Sequence, residues 1–240
     1  MTKPILLTLV ASLVLIALFA VLFAVSRSWR QRDRARFIAG YRFPPALVRK
    51  YGEAHPELGL DQVRRVFEGL RQYFLACLAA QCRPIAPSVG MPSRAVDDAW
   101  HDFILATRDY QGFCRQAFGK YLHHTPEALM GTSMRDALAN TLHQLKRPLP
   151  GGATLATVGT IPLLFAMDRE LGYSDGFLHD AQSLQELEEA RERLAGQRAL
   201  MHGADSGSGA VTADGGGCCS GGSSGGCCSG GGCSGGGCGS

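Results

Sequence analysis

The chain has 240 residues, room for one ordinary domain with extensions. Its 24 Lys+Arg and 21 Asp+Glu leave a formal net charge of +3, too balanced for a nucleic-acid surface across the whole protein, so no nucleic-acid partner is expected. The main local imbalance lies between Arg27 and Arg36, where Arg27, Arg30, Arg32, Arg34 and Arg36 accompany a single acid, Asp33.

The first predicted element is the uncharged run Ile5 to Val25. At about 1.5 Å per residue it spans about 31 Å, the thickness of a bilayer's hydrocarbon core. A cleaved signal peptide is the competing assignment, with Lys3 as its charged region and Ala24-Val25-Ser26 as its small-residue site. Secretory apolar regions run to only about 7–15 residues, so the longer run favours an anchor. No cysteine follows it closely, which disfavours lipoprotein processing. Basic residues beside a spanning helix stay in the cytoplasm, and the arginines after the run outweigh Lys3 and the α-amino group before it. The expectation is a single-pass protein of a bacterial inner membrane, with the N-terminus outside and the body cytoplasmic. Trp29 suits the interface. In a reducing cytosol the nine cysteines are expected as thiols or metal ligands rather than disulfides.

After an Arg-rich juxtamembrane segment at 27–42, Phe43-Pro44-Pro45 turns into a short helix, Ala46 to Tyr51. In Leu60 to Cys82, Val63, Val66, Phe67, Leu70, Tyr73, Phe74, Cys77 and Leu78 recur at three- and four-residue steps, predicting a helix with one apolar stripe that Arg83-Pro84 ends. Ser93 is the expected N-cap of the next helix, which carries Val96, Trp100, Phe103 and Ile104. A further helical stretch carries Tyr110, Phe113, Cys114 and Phe118 before Gly119, and Thr125-Pro126-Glu127 has the form of a capped restart. Met134 to Leu145 reads as helix, stopped by the Pro/Gly run Arg147 to Gly152. Pro162 to Asp168 is apolar and expected to be buried, with Gly172 as a C-terminal stop.

The last helix, Ala181 to Leu200, sets Leu184, Leu187 and Leu194 among charges of both signs. That narrow seam suits a surface helix or a contact with a protein partner through 181–200, and it is short for a coiled coil. No segment alternates with period two, so the body is read as all-α: an anchor at 1–26, a compact helical domain at 43–202 and a tail at 203–240. From Gly215 to Ser240 only glycine, cysteine and serine occur, so the tail is expected to be disordered. Its six cysteines, Cys218, Cys219, Cys227, Cys228, Cys233 and Cys238, sit on a freely bending backbone that can wrap a soft ion or form mixed disulfides. The tail also reads as a plain linker-like extension.

The densest candidate site runs from Asp97 through Trp100 and His101 to Tyr110, Cys114 and the pair His123-His124. On a helix Asp97 and Asp98 both reach His101, and a carboxylate beside imidazole fixes its tautomer and raises its basicity. His124 and Cys114, from other segments, complete a donor set of N, O and S that suits zinc or another divalent ion. The bland reading stands beside it. Trp100, Phe103, Tyr110 and Phe113 are what a helical core needs, Cys114 serves as a small buried hydrophobe, and His101 as a core histidine satisfied by an acid. Neither HExxH nor CxxC is present.

The string Asp97-x-x-Trp100-His101 with Tyr110, Cys114, Gly119 and His124 resembles the core motif of the glycine-rich domain protein family, best known from plants. Pro162 to Asp168 with Gly172 resembles a later block of its shorter bacterial relatives, and the likeness runs from about Phe43 to Leu178. The resemblance implies a module of unsettled activity, linked in plants with development and stress, with nucleic-acid binding suggested for some members. This chain differs in its anchor and its single short core. The expected function is a membrane-anchored cytoplasmic binding or scaffold protein of unsettled activity, for which the His/Asp/Cys cluster and the Cys-rich tail are the candidate metal sites and the tail also a candidate partner site. The alternative is a metal-dependent enzyme using His101, His124 and an Asp, with Cys114 as ligand or nucleophile.

Overall fold

The computed structural model describes residues 2–83, 86–125, 131–147, 155–173 and 175–203. The Cys-rich tail from 204 onward, the Pro84 stop, the restart at Pro126-Glu127 and the Pro/Gly stop at 148–152 lie outside the described residues.

Helix α1 spans Thr2–Ala39. Leu13, Leu15, Ile16, Phe19 and Phe23 all stand exposed on it, and among the described residues it is the helix long and apolar enough to cross a membrane. It does not stop where the charges begin. It continues through the arginines, and Ala35 and Ile38 are fully buried in the domain core. Arg34 lies flat against Gly119, where a Cβ would come within 2.4 Å of its guanidinium. Gly119 also has φ of 73°, a second reason for glycine there. The segment after the apolar run thus both continues the apolar helix and forms a wall of the domain.

Two more helices precede the site, α2 (Pro45–Ala54) and α3 (Leu60–Gln81). Proline at the first turn of α2 supplies a preset φ, and at the start of α3 the Gln62 amide oxygen accepts the Gly59 N–H at 2.8 Å. Every residue of the stripe predicted for α3 is buried, and the helix sits at the centre of the domain. Each large side chain there contributes about 1.5–3 kcal/mol of apolar burial. α3 runs antiparallel to α1: Arg71 Nε donates to the Tyr41 carbonyl at 3.0 Å at one end, and Arg27 donates to the Cys82 carbonyl at 3.3 Å at the other.

The remaining helices are α4 (Arg94–Leu105), α5 (Thr107–Ala117), α6 (Met134–Lys146), α7 (Leu163–Leu171) and α8 (Ala181–Gly203). Gly69 of α3 lets α4 and α7 approach closely, since a Cβ there would lie 2.8 Å from Met167 and 2.9 Å from Val96. An aromatic cluster fills the space between α1, α3, α4 and α5, with Phe74–Phe113 ring centroids at 4.8 Å and Tyr41–Phe113 at 4.6 Å. A two-residue antiparallel pair, β1 (Thr157–Val158) and β2 (Ile161–Pro162), turns through Gly159 and leads directly into α7. Gln72, buried in α3, donates to the Ala156 carbonyl and accepts the Leu164 N–H, which ties this hairpin to the core. α7 buries Leu163 to Asp168 and ends at Gly172 in the left-handed conformation. α8 lies along α6, with Leu184 and Leu187 buried and Lys146 paired to Glu188. Apart from the short hairpin, the described fold is helical throughout, as the periodicity predicted.

Candidate functional site

The site begins with the placement of α4. Ser93 caps it, accepting the Val96 N–H at 3.2 Å, and Asp168 reaches across from α7 to reinforce the cap. The buried Asp168 carboxylate accepts from Ser93 Oγ at 2.6 Å, Arg94 N at 2.8 Å and Ala95 N at 3.2 Å. It also accepts the Phe177 N–H at 2.8 Å. A negative charge among free amide groups at a helix N-terminus is favourable on both hydrogen-bond and dipole grounds. One acid thereby fixes the start of α4 and the segment that follows α7. Gly176 accommodates the close approach, since a Cβ there would meet Asp168 at 2.5 Å.

One turn into α4, Asp97 stands between two imidazoles. Its Oδ1 lies 3.0 Å from His124 Nε2, and its Oδ2 lies 3.6 Å from His101 Nδ1. The two rings are 4.5 Å apart. One donor atom from each of Asp97, His101 and His124 falls within 4.8 Å of the others. Asp97 and His124 are partly buried and His101 is half exposed. The other acid considered for His101 is engaged elsewhere: Asp98 accepts the Tyr173 hydroxyl at 2.9 Å. His123 is exposed and packs on Tyr121, so His124 is the member of the pair that turns inward.

Trp100, Tyr110 and Cys114 hold the loop that carries His124. The indole packs on His124 at 4.6 Å and donates its N–H to the Tyr110 hydroxyl at 3.1 Å. Tyr110 in turn donates to the Leu122 carbonyl at 2.5 Å. Cys114 is buried beside Tyr110. Burial pushes its thiol up, as it does the Tyr110 hydroxyl. All six candidates thus form one contiguous network, in which Asp97, His101 and His124 each place a donor atom within 4.8 Å of the others. The other three act as support. Cys114 stands outside the donor group among the described residues, and a protonated, buried thiol is neither a ready ligand nor a ready nucleophile.

The triad lines a cleft of about 660 Å³ between the end of α3, the irregular segment 86–91, α4 and α6. Tyr73, Cys77, Arg94 and Phe177 also line it. Desolvation raises the Cys77 thiol to about 12, so this wall is chemically inert. Its far side closes at Gly90, whose N–H is bonded to Thr141 and Ala137 of α6. Sequence reasoning did not reach Asp168, Tyr173 or Arg94. A lone acid at the end of the apolar run Pro162 to Met167 was the available signal for the first.

A family model described as UCP032817-like matches residues 33–199, more than half of the chain. That family is uncharacterised, and the match corrects the resemblance to the glycine-rich domain proteins. The Asp97-x-x-Trp100-His101 string with Tyr110, Cys114 and His124 sits inside the matched region, so the plant associations no longer bear on it. Short strings of aromatic residues and histidine arise readily wherever helices pack around a polar cleft, which is why they misled. No curated protein and no solved structure matches the chain. With the match running from Asp33 in α1 into the last helix, the chain belongs to the UCP032817-like family.

Proposed function

We propose that this chain is a single-pass, membrane-anchored metal-binding protein, whose Asp97, His101 and His124 hold a zinc-class divalent ion on the cytoplasmic side. The observation that carries the reading is the convergence of three donor atoms within 4.8 Å. Donor atoms in a tetrahedral zinc shell stand about 3.3 Å apart. Each imidazole already stands near that distance from one oxygen of Asp97, His124 at 3.0 Å from Oδ1 and His101 at 3.6 Å from Oδ2. Two imidazoles and a carboxylate suit zinc and its neighbours better than calcium or magnesium, which take oxygen. The Trp100–Tyr110–Leu122 chain supports the reading, because ligands need a shell that fixes them. Orientation follows from the arginines after Val25, which favour retention on the cytoplasmic side.

A metal-dependent enzyme using His101 and His124 is the second reading, favoured by one observation. The same three residues line the cleft, so a position left open on a three-coordinate ion faces a space large enough for a ligand. Elemental analysis of the full chain and of a form lacking residues 204–240 tests the metal proposal. Stoichiometric metal is expected to survive removal of the tail and to be lost in His101→Ala and His124→Ala. Metal that disappears with the tail, or is absent from both forms, contradicts it.

A further inference from the structure

The cleft does not lie at an arbitrary height above the membrane. α1 is one helix from the apolar run into the domain, and its buried Ala35 and Ile38 fix the domain on it. Arg27, the first charge after that run, donates to the carbonyl of Cys82, so the C-terminal end of α3 stands at the level where α1 leaves the bilayer. Ala80 and Gln81, within one turn of that point, line the cleft together with Ala86 and Pro87. Because α3 runs antiparallel to α1, the cleft extends away from the membrane along α3. Tyr73, which packs on Trp100 at 5.0 Å, lies about 13 Å further up at 1.5 Å per residue. A continuous wall therefore leads from the interfacial level to the Asp97–His101–His124 group.

We propose that this cleft admits an anionic, phospholipid-like amphiphile from the bilayer. Its acyl chain lies along the apolar wall made by Ala80, Pro87, Val89, Met91 and Met134, and its head group faces Arg94 and the triad. The lining carries both kinds of surface such a molecule needs: the apolar side chains just named, and a guanidinium with the polar triad. Arg27, Arg30 and Arg32 of α1 follow the apolar run directly, and each basic residue at a membrane face strengthens attraction to an anionic surface about fivefold. The inference rests on α1 spanning a bilayer and is independent of whether the triad holds metal.

The two tryptophans make the test direct. In full-length Trp29→Phe protein reconstituted in vesicles, emission comes from Trp100 alone. Trp100 lies beyond contact with lipid that stays in the bilayer and within contact of lipid that enters the cleft. Replacing phosphatidylglycerol with a form brominated on its acyl chains close to the glycerol is expected to quench Trp100, which packs on His124 at the head-group end. Ala86→Phe, a bulky plug at an exposed position of the rim, is expected to abolish the quenching. Arg94→Gln is expected to lower the preference for brominated phosphatidylglycerol over brominated phosphatidylcholine about fivefold. Trp29, read as the difference between wild-type and Trp29→Phe emission, reports insertion of the anchor. Unquenched Trp100 with quenched Trp29, or Trp100 quenching that ignores Ala86→Phe, overturns the lipid proposal and leaves the anchor standing. If neither tryptophan is quenched, the anchor reading fails and the lipid proposal falls with it. Metal content measured on the same samples separates either failure from that of the metal site.

Discussion

Replacing Asp168 by asparagine should destabilise the domain by about 3–6 kcal/mol. The two carboxylate oxygens accept from four donors: Ser93 Oγ and Ala95 N on one, Arg94 N and Phe177 N on the other. Asparagine keeps one acceptor oxygen and turns an NH₂ group toward the other pair of donors. Two hydrogen bonds to a charged acceptor, each worth about 1.5–3 kcal/mol, are lost at a buried site. Set against a total stability of about 5–15 kcal/mol, that is a large fraction. The change also loosens α4 at its first turn, one turn before Asp97, so it should weaken the triad without touching it. Urea unfolding of residues 27–203, which retain Ala35 and Ile38, followed by far-ultraviolet circular dichroism, measures the loss. A change below about 1 kcal/mol would refute the claim that this acid organises α4.

Tyr110→Phe should cost about 2–4 kcal/mol, because it orphans both the Trp100 N–H and the Leu122 carbonyl, and it should weaken metal binding through the freed His124 loop; calorimetric titration with zinc checks the second effect. Gly69→Val should destabilise by about 1–3 kcal/mol, since its side chain enters the space of Met167 and Val96, and a neutral result in thermal unfolding would show that α3, α4 and α7 are packed less closely. His143 gives a pH dependence with a definite sign. Burial first, then Arg191, Arg147 and Arg83, lowers it from 6.5 to about 4, so between those values the unfolded chain takes up a proton that the folded chain refuses. Stability should be level above pH 6.5 and fall as pH drops toward 4, and His143→Gln should flatten that slope in urea titrations across the window.

Local periodicity accounts for what the sequence revealed of the fold. The α3 stripe, the Ser93 cap, the Gly172 stop and the all-α body all follow from spacings of three or four residues or from single caps. The extent of α1 was less legible. Only Ala35 and Ile38 mark its buried face, and five arginines around them read as a solvated segment. In the candidate site the Asp97–His101 pair is a neighbour relation on one helix and could be read directly. The Asp97–His124 bond depends on where the loop after α5 returns, and the Tyr110–Leu122 bond that sets this has no sequence signature. Likewise spacing puts Asp98 as well as Asp97 within reach of His101, whereas Tyr173 from beyond α7 claims Asp98. Nonlocal partners of this kind are fixed by packing, and one sequence does not encode them in any short pattern.

Ligand identity decides whether Asp97, His101 and His124 hold the ion. X-ray absorption at the zinc edge, on zinc-loaded protein lacking residues 204–240, measures that identity directly. The account predicts nitrogen and oxygen neighbours at about 2.0–2.2 Å with the signature of two imidazoles, and no sulfur shell at about 2.3 Å. The imidazole signature should fall by half in His124→Ala. A sulfur shell, or a spectrum unchanged by His101→Ala and His124→Ala, would contradict it.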